Sequence, residues 1–210
     1  MYYFLKYFLS ILLITLSLNC LADNKYDGTI YYENDTVSVK FYIPFRVFSG
    51  KINFSSIQKK INYFDDENNL KSLSADEAIA YSFNYKGEDI RMVSHTYATA
   101  DQSKLGAYSY SIFFKLELKE NLTVYSQENE TFIPFIGHNI LSIFGFAVVN
   151  QKYFFEKSNG SFIRADKYKF KKDISNFFSD CEVLANKIRQ KIFTNKEIFE
   201  IAEYYNNNCI

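Results

Sequence analysis

The clearest structural signal in this chain is the segment Ile79-Ala-Tyr-Ser-Phe-Asn-Tyr-Lys-Gly-Glu-Asp89. From Ile79 to Tyr85 every second residue is large and apolar or aromatic, and a strand would place these residues on one face. The following Lys86-Gly87-Glu88-Asp89 contains turn residues, since glycine adopts a positive φ at little steric penalty. The segment therefore predicts a half-buried strand that ends in a hairpin.

The same alternation recurs on both sides of this hairpin. It is present in Val37–Ile43, Lys60–Phe64, Phe114–Leu118 and Leu122–Tyr125. Turn segments separate the runs, and Asn159-Gly160 is the strongest of them because both residues tolerate a positive φ. Strand–helix–strand spacing is missing, which argues against a doubly wound parallel sheet. We expect residues 23–170 to form an antiparallel β-rich domain, either a sandwich or an open barrel.

The period changes to that of helices in residues 171–210. Ser179-Asp180-Cys181-Glu182 has the pattern of a helix-capping box. Leu184, Ile188 and Ile192 then recur every four residues, as on one face of a helix. Thr194-Asn195-Lys196-Glu197 repeats the capping pattern before a second apolar run. The sequence predicts a C-terminal helical hairpin, and the fold class expected for the chain is α+β.

Two cysteines bracket this hairpin. Cys181 lies at the start of the first predicted helix and Cys209 lies just past the end of the second. Two antiparallel helices of about 11 residues are each about 17 Å long, so the chain returns to the end at which it began. The two cysteines should therefore meet, and we predict a Cys181–Cys209 disulfide.

The N-terminus resembles a secretory signal peptide. Lys6 precedes an apolar run, Tyr7–Leu18, which is short for a membrane span. Cys20 and Ala22 are small residues at the −3 and −1 positions of a cleavage site, so we expect residues 1–22 to be removed between Ala22 and Asp23. Two alternatives remain open, an uncleaved anchor helix and a lipid-modified Cys20. Removal would leave two cysteines in an exported chain, which favours a disulfide.

Composition limits the function classes. The 210 residues include 24 basic and 24 acidic side chains, and 19% are aromatic. A balanced charge argues against a nucleic-acid-binding protein, which needs a basic surface. The apolar and aromatic content is too high for a disordered chain.

Residues that could carry catalysis are few. His95 and His138 lie far apart without a zinc-binding motif, and nothing indicates a metal or another cofactor. Ser94, His95 and Asp101 are the residue types of a hydrolase triad, but no nucleophile elbow accompanies them and residues this close in sequence rarely converge. We name no catalytic residue.

Three further segments each permit two interpretations. Asp65–Asn69 could offer oxygen ligands to calcium, but a solvated hairpin tip is favoured because an EF-hand glycine and glutamate are missing. Lys167, Lys169 and Lys171 alternate with aromatic residues, which favours a solvated edge strand over an anion-binding or headgroup-binding face. Phe132–Val149 is nearly free of charge and favours a buried strand or core loop over an exposed loop that contacts a membrane or a partner.

The last 45 or so residues, Asp166–Ile210, resemble small exported bacterial proteins of unknown function. The resemblance lies in a lysine-rich segment, the Ser-Asp-Cys-Glu helix start and the terminal Tyr-Tyr-Asn followed by Cys. It implies a β-rich body with a cysteine-bracketed helical end and brings no activity with it.

These observations favour an exported protein, secreted or in the cell envelope, that binds a protein partner or an apolar ligand without catalysis. The alternative is an exported hydrolase that uses acidic residues, which predicts a cleft with two carboxyls, one of them with a raised pKa.

Overall fold

The structure is a computed structural model that describes residues 24–46, 49–100, 107–134, 145–165 and 169–209. The leader, Cys20 and the expected cleavage site at Ala22–Asp23 lie outside the described residues. The described strands are β1 (Lys25–Tyr31), β2 (Thr36–Tyr42), β3 (Lys60–Phe64), β4 (Leu70–Ser74), β5 (Ala80–Tyr85), β6 (Glu88–Ala100), β7 (Ala107–Leu118), β8 (Leu122–Pro134), β9 (Gly145–Lys157) and β10 (Phe162–Arg164). The described helices are α1 (Phe54–Ile57), α2 (Phe170–Phe177), α3 (Glu182–Arg189) and α4 (Ile198–Asn208).

The strands of the described chain form one antiparallel sheet in the order β10-β9-β8-β7-β6-β5-β1-β2-β3-β4. Almost every strand pairs with its neighbour in sequence, and β1 is also joined to β5. The predicted α+β class, a β-rich body followed by C-terminal helices, is confirmed.

The hairpin turns follow the local sequence signals. The two-residue turn between β5 and β6 contains Lys86 and Gly87, with φ values of 53° and 85°. Gly160 in the β9–β10 turn has a φ of 79°. These positive φ values suit the twist of the strands that the turns connect.

The first core covers one face of β1–β7. Its fully buried residues include Ile30, Phe41, Ile61, Leu73, Tyr81, Phe83, Met92 and Phe113. The connection between β2 and β3, which contains α1, packs over this face, and the Tyr81 hydroxyl donates a hydrogen bond to the carbonyl of Ile57 at 2.9 Å. The prediction for Ile79 is wrong, since it precedes β5 and is 52% exposed.

One glycine is required by close packing in this sheet. A Cβ at Gly28 in β1 would lie 2.2 Å from the carbonyl oxygen of Ser82 and 2.7 Å from the ring of Phe41. Both distances are far below van der Waals contact, so a side chain at this position would push the strands apart or displace the ring.

The second core lies between helices α2–α4 and one face of β8 and β9. Its fully buried residues include Leu122, Val124, Phe155, Ile174, Phe178, Leu184, Ile188 and Ile201. Asn206 in α4 connects the helices to the sheet, because its Oδ1 accepts a hydrogen bond from the Leu122 backbone N–H at 2.7 Å.

The disulfide joins Cys181 and Cys209 as the sequence predicted, with their Cα atoms 5.4 Å apart. Cys181 directly precedes α3 and Cys209 directly follows α4. The covalent link therefore closes the two antiparallel helices at one end.

Three details of the helical region differ from the sequence predictions. The lysine-rich strand is wrong, because α2 begins at Phe170 and contains Lys171, while Lys167 lies outside the described residues. The capping box at Ser179 does not form, and Glu182 accepts a hydrogen bond from Arg189 at 2.7 Å instead. Ile192 is 57% exposed because α3 ends before it.

A buried lysine links the sheet to the helices. Lys157 at the end of β9 donates hydrogen bonds to the carbonyl of Phe177 at 2.5 Å and to the Asp180 carboxylate at 2.6 Å. The second oxygen of Asp180 accepts a hydrogen bond from the Tyr205 hydroxyl at 2.7 Å. Burial alone would raise the pKa of Asp180, but the hydrogen bonds from Lys157 and Tyr205 hold it below the ordinary value.

Within the described residues, no helix combines the length and the apolar character needed to span a membrane.

Candidate functional site

Two long hairpins extend from the central strands of the sheet. β6 and β7 remain paired as far as Ala100 and Ala107. β8 and β9 remain paired as far as Pro134 and Gly145. We call these the β6–β7 arm and the β8–β9 arm.

The two arms separate from each other near their base. β7 and β8 form three ladder pairs, which run from Leu118 opposite Val124 to Lys115 opposite Ser126. The register shifts between Leu116 and Leu118. Among the described residues no ladder pair joins β7 before Lys115 to β8 after Ser126. We call the space between these two strand segments the notch.

The base of the notch is held by α1 and the loop before it. Glu128 of β8 forms an ion pair with Arg46 at 2.6 Å. Glu130, two residues further along the same face, accepts a hydrogen bond from the Ser55 hydroxyl at 3.1 Å. Acidic side chains on one face of β8 thus fix the β2–β3 connection against the arm.

Amide side chains line the same region. Gln58 is 1% exposed, and its main-chain carbonyl accepts a hydrogen bond from the backbone N–H of Phe113 in β7 at 2.7 Å. The side-chain amide nitrogens of Gln58 and Asn129 are buried without a hydrogen-bond partner among the described residues. Both residues and Gln127 line a cavity of about 220 Å³. An unpaired buried donor is destabilising by about 1–3 kcal/mol, so a ligand that supplies acceptors here would gain from their pairing.

The outer part of the β8–β9 arm exposes apolar side chains. Ile133 is 42% exposed and Val149 is 37% exposed. The expectation that Phe132–Val149 is buried is therefore wrong for these described positions, while residues 135–144 lie outside the described residues. A two-stranded ribbon without a covered face is only marginally stable by itself, so this arm gains from contact with another surface.

Aromatic side chains from five strands meet on the face of β6–β10 opposite the helices. This aromatic box consists of His95, Phe114, Tyr125, Phe154 and Phe162. The ring of Phe162 in β10 stacks on His95 in β6 at a centroid distance of 4.9 Å. These strands are four positions apart, about 19 Å in a flat sheet, so this half of the sheet must curl strongly.

A polar pair lies at the edge of the aromatic box. The Tyr125 hydroxyl donates a hydrogen bond to Glu156 at 2.7 Å, and Glu156 lies 3.8 Å from Nε2 of His95. Burial lowers the pKa of His95 although the Glu156 charge opposes this, and burial together with the hydrogen bond to Glu156 raises the pKa of Tyr125. At neutral pH this arrangement holds a neutral imidazole packed among rings.

The structure does not bring the suggested hydrolase residues together. Ser94 and His95 are adjacent on β6, so their side chains point to opposite faces of the sheet. Ser94 donates a hydrogen bond to the carbonyl of Ala75 on the first-core side. Asp101 and His138 lie outside the described residues.

The Asp65–Asn69 segment is a hairpin tip whose acid is already satisfied. Asp65 accepts hydrogen bonds from the backbone N–H and the side chain of Asn69 at 2.7 and 3.3 Å. Both hydrogen bonds lower the pKa of Asp65, and the bond from the backbone N–H of Asn69 has the larger effect. The carboxylate therefore stabilises the turn between β3 and β4. Within the described ranges, no group of three or more potential metal-ligating side chains was found.

The carboxyl pKa values do not favour the hydrolase alternative. Among the described Asp and Glu residues, every carboxyl group with a shifted pKa has a lowered pKa. These residues are Asp65, Asp76, Glu77, Asp180 and Glu197. A general acid in glycoside or ester hydrolysis needs a raised pKa instead.

Comparisons with protein-family models, with curated proteins and with solved structures returned no match. The notch therefore has to be interpreted from its own residues. Sequence reasoning missed Gln58, Glu128 and Asn129, since each is an ordinary polar residue until the fold places it at the junction of the arms. The only sequence signal near them is the unusual apolar run that follows Asn129.

Proposed function

We propose that this chain is an exported, non-catalytic protein that binds a protein partner through its two hairpin arms. The observation that carries the proposal is the notch, where two long strands leave each other after three ladder pairs. Ile133 and Val149 provide apolar contact area on opposite faces of the adjoining arm. Exposed apolar residues on a projecting element are typical of interaction surfaces.

Export is supported by two independent features. The leader-like residues 1–22 precede the described chain. The Cys181–Cys209 disulfide is compatible with an oxidising compartment. We propose cleavage after Ala22, and N-terminal sequencing of the protein recovered from its native host should begin at Asp23. Recovery of the chain with Met1 in place would contradict export by this route.

Site-specific photocrosslinking tests partner binding in the native host. A benzoylphenylalanine residue replaces Ile133 or Val149 on the arm. The matched controls are Leu70 on β4 and Val183 on α3, which are 57% and 60% exposed. We expect discrete heavier adducts only from the arm positions. Equal adduct patterns at arm and control positions would overturn the proposal, because they would reflect chance encounters.

A further inference from the structure

We infer that the partner contributes an extended strand, which adds to the edge of β8 within the notch. This inference rests on the proposed function and specifies the element that the arms bind. β8 pairs with β9 along one edge through Pro134, whereas its ladder with β7 ends at Ser126. In an antiparallel strand paired on one side, alternate N–H and C=O groups point to the other side. The segment Gln127–Pro134 is thus a template for one more strand.

The notch edge differs from the two outer edges of the sheet. The outer strand β10 has three residues and β4 has five. Short edge strands limit unwanted pairing. The β8 segment that faces the notch has eight residues, Gln127–Pro134, and its strand is central in the sheet. Strand addition is therefore favoured at the notch rather than at β4 or β10.

The unpaired amides are suited to main-chain recognition. A carboxamide nitrogen can donate to a peptide carbonyl whatever the side chain of that residue is. Gln58 and Asn129 line the cavity at the base of the notch, and their side-chain nitrogens are buried there without an acceptor among the described residues. An incoming strand would supply carbonyl oxygens to donors that have no acceptor among the described residues.

Charge selects the kind of strand and argues against a second copy of this chain. Glu128 and Glu130 lie on one face of β8, whereas Ile133 lies on the other. Antiparallel pairing of β8 with itself about residue 129 would place Glu128 opposite Glu130, and like charges directly opposite are destabilising. Arg46 already pairs with Glu128, so Glu130 is the carboxylate that favours a basic or hydroxyl residue opposite it. The favoured strand carries apolar residues on its other face.

A defined peptide tests this inference. The probe is the labelled octapeptide Lys-Val-Thr-Val-Lys-Val-Thr-Val, titrated with the oxidised full-length mature chain and followed by fluorescence anisotropy. One control peptide carries N-methyl groups on alternate amides, and a second has Glu in place of Lys. The protein control is Glu130→Lys, a change at an exposed position.

We expect the unmodified probe to bind, and N-methylation to weaken it by about tenfold or more because main-chain hydrogen bonds are lost. Glu130→Lys should weaken the lysine probe about threefold and strengthen the glutamate peptide, since an exposed charge pair is screened by solvent and contributes only weakly.

Three results would overturn strand addition. The first is that the probe does not bind, and the second is that the N-methylated peptide binds as tightly as the probe. The third is that sedimentation velocity shows a dimer of this chain which the probe dissociates. That result would make a second copy the occupant of the notch. Specific crosslinks at Ile133 and Val149 together with any of these would leave the proposed function standing. Crosslinks that do not distinguish arm from control positions would remove the proposed function itself.

Discussion

Replacing the buried lysine at the sheet–helix junction should destabilise the protein measurably. Lys157 is 8% exposed, and its ammonium group binds the carbonyl of Phe177 and the carboxylate of Asp180. The substitution Lys157→Met keeps most of the side-chain volume and removes the charge. It leaves Asp180 with the Tyr205 hydrogen bond and deprives the C-terminal end of α2 of its cation.

The expected loss in the free energy of unfolding is about 3 kcal/mol. Hydrogen bonds to charged groups contribute about 1.5–3 kcal/mol each, and the bond to Phe177 falls within this range. Asp180 is 49% exposed, so solvent screening reduces its share to about 1 kcal/mol. A double-mutant cycle with Asp180→Asn should therefore give a coupling energy of about 1 kcal/mol.

The pH dependence provides an internal check. Because the pKa of Asp180 is lowered in the folded state, its stabilisation is complete above the ordinary value of 3.8 and is lost as the pH falls through the folded-state pKa. The difference between the parent chain and Asp180→Asn should therefore shrink toward zero in acid. A smaller trend is expected between Lys157→Met and the double variant, because only the Tyr205 hydrogen bond then opposes the effect of burial on the pKa of Asp180.

Urea unfolding at neutral pH measures these quantities. The chain has no Trp and 18 Tyr, so far-UV circular dichroism and tyrosine fluorescence are the two probes. Coincident transitions with an unchanged m-value would support two-state analysis. A Lys157→Met variant as stable as the parent would refute the reasoning, because apolar packing would then replace the ion pair without loss.

Three further perturbations follow from the structure. Replacing Cys181 and Cys209 with Ser removes a disulfide whose cysteines are separated by 28 in sequence, and should lower the free energy of unfolding by about 3.5 kcal/mol. A decrease below about 1 kcal/mol in urea unfolding would contradict this. His95→Phe should stabilise the chain by about 1 kcal/mol at pH 7 by removing an unpaired buried nitrogen. Since the pKa of His95 is lowered, the parent should lose stability as the pH falls below about 6.5 and this variant should lose less; parallel stability–pH curves would contradict it. Gly28→Ala should lower the midpoint of thermal unfolding, because overpacking reduces the free energy of unfolding by about 3 kcal/mol. Gly87→Ala has open space around the added methyl group but a φ of 85°, and should reduce the free energy of unfolding by about 1 kcal/mol. Equal reductions would show that strand spacing adapts at Gly28.

Local signals predicted much of the sheet. Lys60–Phe64 was expected as a strand, and β3 has the same bounds. Lys86-Gly87-Glu88-Asp89 was expected as a turn. Lys86 and Gly87 form it with positive φ, whereas Glu88 and Asp89 already belong to β6. Alternation and turn chemistry act between residues that are near in sequence, so a single sequence is sufficient to identify them.

Errors arose where a distant partner competes with a local pattern. Ser179-Asp180-Cys181-Glu182 contains a good capping box, yet Asp180 binds Lys157 of β9 and Glu182 binds Arg189. The lysine alternation that runs into α2 at Lys171 has the period of a strand, but burial of Phe170 and Ile174 on one helix face determines the outcome. Tertiary contacts contribute more free energy than either local preference.

The candidate site could not be predicted for the same reason on a larger scale. Gln58 comes from the β2–β3 connection and Asn129 comes from β8, and no spacing in the sequence relates them. The contact between His95 and Phe162 likewise depends on the curl of five strands. Such positions are set by sheet curvature, which period-two patterns do not specify.

The notch implies a balance of free energy that connects fold and function. The tight turn between β7 and β8 could allow pairing along both strands, but the shift at Leu116–Leu118 ends the ladder after three pairs. At about 1 kcal/mol for each net hydrogen bond, several forgone bonds amount to a large share of the 5–15 kcal/mol that stabilises a typical domain. Gln58, which directly follows α1, offsets part of this because its main-chain carbonyl accepts a hydrogen bond from the Phe113 N–H. The ladder with β7 provides no partners to the main-chain groups of β8 beyond Ser126. The geometry that weakens the sheet at this point is therefore the same geometry that the proposed strand addition requires.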